Sequence, residues 1–120
     1  IRSSLESSTE EIASIVEIVS KRTNAKFEKV NWYPAWEYDK NSKIKDIALS
    51  VYKKVTGKDA KIEAIHAGLE CGILKRVLPE VDMISLGPNL YDVHTPSEHL
   101  SISSVDRTWK FLKELIINLD

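Results

Sequence analysis

Apolar residues recur at helical spacing in four stretches of the chain, and they alternate or cluster over strand lengths in four others. Ile12, Ile15, Val16, Ile18 and Val19 make one helical stripe. Before it, Ser7 and Ser8 are each followed three residues later by Glu10 or Glu11, as in overlapping capping boxes, and Asn24 is placed to stop the helix in a left-handed conformation. A second helix is framed by Ser42 and Gly57; Ile44, Ile47, Ala48, Val51 and Val55 line one face, and Lys53 and Lys54 sit where the helix dipole favours cations. A short helix over 70–78 is closed by Pro79. The last helix takes Ser103 or Ser104 as its cap and buries Val105, Trp109, Leu112, Leu115, Ile116 and Leu119.

Residues 1–6, 25–32, 60–66 and 82–86 have the length and apolar content of strands. Phe27, Val30 and Trp32 are the packing residues of the second, which Pro34 ends. Strand, short helix and strand over 60–86 form a βαβ unit, which implies two parallel strands joined by a right-handed crossover. The turn formers at 38–42 mark a boundary, dividing the chain into 1–38 and 39–120. In order the chain reads βαβ, linker, αβαβα, and the expected class is α/β.

Composition narrows the function classes. The 120 residues carry 17 basic and 18 acidic side chains, so no basic face advertises a nucleic-acid partner. No stretch approaches the ~20 consecutive apolar residues that cross a bilayer, and the first residues do not have a signal-peptide pattern. The single cysteine, Cys71, excludes an internal disulfide framework and fits a reducing compartment. A chain of this size buries enough surface to need no metal staple. The expectation is a cytoplasmic globular chain without nucleic-acid or membrane partners. Its opening, Ile1-Arg2-Ser3-Ser4, reads as the interior of something longer.

Ligands of open parallel sheets sit beyond the carboxyl ends of the strands. Two segments would lie there. His66-Ala67-Gly68-Leu69-Glu70-Cys71-Gly72 offers an imidazole, a carboxylate, a thiol and two glycines that admit close backbone approach. The second segment holds His94-Thr95-Pro96-Ser97-Glu98, in which Pro96 stiffens the loop and Glu98 is a candidate to orient the imidazole, as metal-ligating histidines require. Spacing alone supplies no companion donors for His94, because zinc needs three or four ligands and there is no HExxH, CxxC or regular His pair. His66 reads as a hydrogen-bonded core residue, His99 as a surface residue, Cys71 as an inert thiol without a basic partner, and 32–36 as aromatic packing.

The strings Ala64 to Gly72, Asp82-Met83-Ile84-Ser85-Leu86-Gly87-Pro88-Asn89 and His94 to Glu98, with Ser103-Ser104-Val105 and Trp109, carry more. Together they resemble the C-terminal end of bacterial aminoacyl-histidine dipeptidases, members of the co-catalytic zinc exopeptidase superfamily with carnosinases, tripeptidases and aminoacylases. The resemblance covers most of 42–120, and 1–38 are similar to the second half of that family's inserted lid domain. It implies a parent enzyme in which two zinc ions share a water and a glutamate acts as general base. It makes His94 the last metal ligand and Gly68, Leu69 and Glu70 the lining of the substrate pocket, assigns no catalytic residue to this chain, and leaves Arg2 as the basic residue of a lid strand. The other ligands and the general base belong to a part of the family's catalytic domain with no counterpart here. The chain is therefore expected to be an inactive C-terminal piece of a dipeptidase acting on Xaa-His dipeptides, with a homodimer contact through the lid. Two alternatives stand beside it: a non-catalytic folding or dimerisation module, and a related hydrolase acting on other dipeptides or N-acyl amino acids.

Overall fold

The computed structural model describes residues 1–119. Its elements are α1 (Glu6–Arg22), α2 (Lys43–Thr56), α3 (Glu70–Val77), β1 (Leu90–Tyr91), β2 (His99–Leu100) and α4 (Ile102–Ile117). They fall into two compact units. Unit 1 comprises Ile1–Lys40 and Ile62–Val81; unit 2 comprises Asn41–Lys61 and Asp82–Asp120.

Unit 2 is built from α2, the β1–β2 hairpin and α4. Ser42 caps α2 by accepting the Lys45 amide hydrogen at 3.1 Å, and Gly57 ends the helix in the left-handed conformation expected of it (φ 71°). Asp82 adds to the cap from outside the helix, its Oδ2 accepting the Ile44 N–H at 2.9 Å. Desolvation would raise the Asp82 pKa, but hydrogen bonds from the Ile44 backbone, the Ser42 side chain and the Lys43 and Met83 backbones outweigh it and hold the carboxyl below its ordinary value. Packing of α2 on α4 buries Ala48, Val51 and Leu115, flanked by Ile47, Ile84 and Phe111. The Tyr52 and Phe111 rings meet edge to face, with centroids 5.4 Å apart.

Unit 1 contains α1, α3 and the extended segments between them. Helix α1 forms where its periodicity places it, and Asn24 is left-handed (φ 55°). Its N-cap, however, is Leu5 with no side-chain cap, and the Glu6 N–H is taken up at 3.3 Å by the carboxylate of Glu37. The buried positions of α1 are Thr9, Ala13 and Ser20, whereas Ile12, Ile15, Val16, Ile18 and Val19 are exposed. The expected inward face is thus the outward one, and the buried positions are taken by small side chains. In α4, likewise, Leu115 is buried but Val105, Trp109 and Ile116 are exposed, as is Leu119 beyond its end, and the N-cap is Ser101 instead of Ser103 or Ser104.

The α/β class stands in a helix-rich form with one small antiparallel sheet. Correction falls on the strands: among the described residues, 1–6, 25–32, 60–66 and 82–86 join no ladder. Apolar alternation reports that a segment suits a pleated, half-buried surface, whereas a strand also needs a neighbour for its N–H and C=O groups. The two strands expected of the βαβ unit, 60–66 and 82–86, belong mostly to different units, and neither joins a ladder among the described residues. The sheet that does form pairs Leu90 with Leu100 and Tyr91 with His99.

Candidate functional site

The segment 66–72 lies in unit 1, and its two glycines have different reasons to be there. A Cβ on Gly72, which is buried at the start of α3, would lie 2.7 Å from the Pro34 carbonyl oxygen. Gly72 therefore lets the 33–35 backbone rest directly on α3. A Cβ on Gly68 would overlap the guanidinium of Arg2 and come within 2.8 Å of the Tyr33 ring. Arg2 in turn lies over the Tyr33 face, 4.9 Å from the ring centroid, as a cation–π pair. Gly68 thus sits against a guanidinium that also lies over an aromatic ring. His66 is exposed, not a core residue, yet its Nδ1 accepts the Ser4 N–H at 3.1 Å. Leu69 is the N-cap of α3, Glu70 its first residue and exposed, and Cys71 is a free, half-buried thiol.

The 33–35 segment is fixed from its other side by Glu6, whose Oε1 accepts from Trp32 Nε1 at 3.0 Å and whose Oε2 accepts from the Ala35 N–H at 2.8 Å. The Ala35 backbone bond, then the Trp32 bond, hold the Glu6 carboxyl below its ordinary value of 4.5 against a smaller effect of burial, with further help from the Arg76 charge. A depressed folded-state pKa contributes stability that is present above the unfolded value and is lost as pH falls through the folded one. Glu6→Gln should therefore destabilise unit 1 by about 1–2 kcal/mol at pH 7, the order expected for weakening charge-assisted bonds at a partly exposed site. Urea titrations should show the gap between wild type and variant closing at pH 3. An open cleft of about 500 Å³ lies beside these residues. Its polar walls are already engaged, Glu10 with Lys29 at 2.8 Å and Lys75 with the Val81 carbonyl at 2.9 Å.

His94 lies in unit 2 at the tip of the β1–β2 hairpin, where 92–98 are all exposed. Asp92 and His94 both take positive φ (50° and 66°). The turn is closed by bonds from Thr95 N–H (3.1 Å) and Thr95 Oγ1 (2.7 Å) to the Asp92 carbonyl and from Glu98 N–H to the Thr95 carbonyl (3.1 Å). Glu98 does hold His94, but through the peptide: its Oε2 accepts the His94 backbone N–H at 3.0 Å. The ring is left to the solvent side of a fixed backbone. His99 is exposed as expected, yet it braces the hairpin, with Nδ1 2.8 Å from the Ser97 carbonyl and its ring stacked on Tyr91 at 5.2 Å. Ser104 anchors the hairpin's base to α4, accepting the Asn89 N–H at 2.9 Å and donating to the Ser101 carbonyl at 2.7 Å.

Among the described residues no three His, Cys, Asp or Glu side chains gather where they could hold a metal. Zinc needs three or four donors, so the residues present do not by themselves fit a zinc ion; His94 is available as one donor. Nor is any helix among the described residues long and apolar enough to cross a membrane. Sequence reading singled out His94 and Gly68 from their motifs. It left Arg2 without a role, because the partners of Arg2 come from distant parts of unit 1 and no local pattern joins them.

A helix-rich α/β chain with a histidine-tipped hairpin and a glycine-floored cationic site matches peptidase family M20/M25/M40 over residues 4–118, and it belongs to that family. It is 38% identical over 116 residues to the cytosol non-specific dipeptidase of Escherichia coli (strain K12), an alignment covering 97% of this chain and 24% of that protein. It also superimposes on the crystal structure of aminoacylhistidine dipeptidase from Vibrio alginolyticus with a TM-score of 0.80 and 31% identity, covering 98% of this chain and 24% of that one. The chain therefore spans about a quarter of the length of these relatives.

Proposed function

We propose that this chain is the C-terminal part of a zinc-dependent dipeptidase that hydrolyses Xaa-His dipeptides, and that its share of the work is to hold the substrate's free carboxylate. One observation carries this reading. The exposed Arg2 guanidinium is seated on Gly68, whose missing side chain makes the room that the guanidinium itself fills, and over the Tyr33 ring, and these two contacts hold it in place for a ligand. A guanidinium matches a carboxylate in a bidentate manner. Gly68, with Leu69 and Glu70 at the start of α3, forms the wall against which the dipeptide's C-terminal residue rests.

His94 is proposed as one metal ligand, the remaining donors and the general base coming from other parts of a longer protein. Zinc, when bound there, supplies a Lewis acid and a water of lowered pKa. This chain's own contributions are a fixed backbone at His94 and a carboxylate clamp at Arg2. Residues 1–38 are assigned to the second half of a lid and 39–120 to the catalytic domain. The exposed apolar stripe of α1 suits a homodimer contact through that lid. The match to a cytosolic dipeptidase supports a cytoplasmic setting.

The test is a substrate panel on the longer protein: Xaa-His dipeptides, including β-alanyl-histidine, their C-terminal amides, and N-acyl amino acids. Free dipeptides should exceed their amides by at least about tenfold in kcat/KM, the loss expected when a hydrogen-bonded charge at an exposed guanidinium is deprived of its partner. Equal rates on acid and amide would remove the carboxylate reading. Turnover of acyl amino acids alone would move the protein to another hydrolase class.

A further inference from the structure

We infer that His66 is a positioning residue for Arg2, acting through the backbone of Ser4; this rests on the reading that Arg2 holds the substrate carboxylate. Arg2 lies in the extended segment that precedes α1, and an extended chain with no ladder has no intrinsic reason to keep one direction. Cation–π contact with Tyr33 holds the far end of the Arg2 side chain but does not fix where its backbone lies. The bond from the Ser4 N–H to His66 Nδ1, at 3.1 Å, supplies that second point. It joins the 1–5 segment to the residue that stands two places before Gly68 in sequence. The same short stretch, 66–68, therefore provides both the floor under the guanidinium and the anchor for the backbone that carries it.

The chemistry of the bond is specific. For Nδ1 to accept, its lone pair must face the amide, so the bond requires the ring's N–H to be on Nε2. No other feature of the ring is needed. An asparagine at position 66 places its Oδ1 at the same distance along the side chain as Nδ1 and preserves the acceptor. A glutamine places its amide where Nε2 lies and does not, and a leucine offers no acceptor at all. Tyr33 and Gly68 are unaltered by any of these changes, so the floor and the stacking surface remain.

In the longer protein, His66→Asn should retain the wild-type KM for a free dipeptide. His66→Gln and His66→Leu should raise KM about fivefold, the ordinary net value of one neutral hydrogen bond, with kcat unchanged. The second readout is the Nε–H resonance of Arg2 in arginine-labelled protein, assigned by its disappearance in Arg2→Lys. It should hold its ring-shifted position in wild type and His66→Asn, and move toward that of an exposed arginine in His66→Gln and His66→Leu. The inference is overturned if the Leu variant leaves both KM and the Arg2 resonance in place, or if the Asn variant behaves as the Leu variant does. A wild-type enzyme that fails to distinguish acid from amide would instead refute the carboxylate reading, while the resonance would still report whether His66 places Arg2.

Discussion

Replacing His94 with alanine in the longer protein is expected to lower dipeptide hydrolysis by at least about 100-fold, the upper end of what loss of a mere outer-shell partner costs a metal site. Bound zinc per chain should fall with it. Stability should hardly change. The His94 side chain is exposed at a hairpin tip, and the bond that closes the turn there uses its backbone N–H, which alanine keeps. Two effects have to be separated, because φ is 66° at this position and a left-handed conformation is less costly for histidine than for alanine. His94→Asn controls for this: asparagine accepts the backbone conformation but is a poor replacement for an imidazole donor. Both variants should lose zinc and activity together while melting within about 0.5 kcal/mol of wild type, as exposed substitutions usually do. An alanine variant with full zinc stoichiometry and full turnover would remove His94 from the metal site.

The second large effect is expected from Gly68→Ala. An added methyl would overlap the end of the Arg2 side chain and press on the Tyr33 ring edge at 2.8 Å. Arg2 is long and flexible and can swing away at little cost to folding, so the fold should survive while the clamp does not. The expected outcome is a rise in KM for free dipeptides of about tenfold or more, with the preference for acid over amide collapsing toward unity. Thermal unfolding should stay close to wild type. Retention of the acid preference in Gly68→Ala would show that the carboxylate is held elsewhere. The effect should exceed that of His66→Leu, since the methyl displaces the guanidinium itself whereas loss of the Ser4 bond only loosens its mooring.

The helices were the most legible part of the fold. Ser42 and Gly57 act within or next to the element they bound, so a short window contains the whole cause of α2. Helix α1 shows where this ends. Its periodicity located the helix, yet which side faces inward depended on Thr9, Ala13 and Ser20 meeting the rest of unit 1, and no window on α1 holds that information. The extended segments failed for a related reason: Ile62 and Ile65 have the composition of a strand, but pairing is a property of two segments. As a candidate, His94 stood out because a compact motif surrounds it, including the Glu98 that holds its peptide and not its ring. The Arg2–Tyr33–Gly68 assembly was invisible because it is made from three separated stretches.

The interleaving of the two compact units has a consequence for how the chain is made. Each unit is assembled from two stretches, with 41–61 of unit 2 lying between the two stretches of unit 1. Unit 1 therefore cannot close until Val81 has emerged from the ribosome, by which time α2 has long been synthesised and is waiting for α4. Domain-by-domain folding from the N-terminus is closed to this architecture. During synthesis the apolar side chains of α2, Val51 above all, stay uncovered until Leu115 of α4 has followed them.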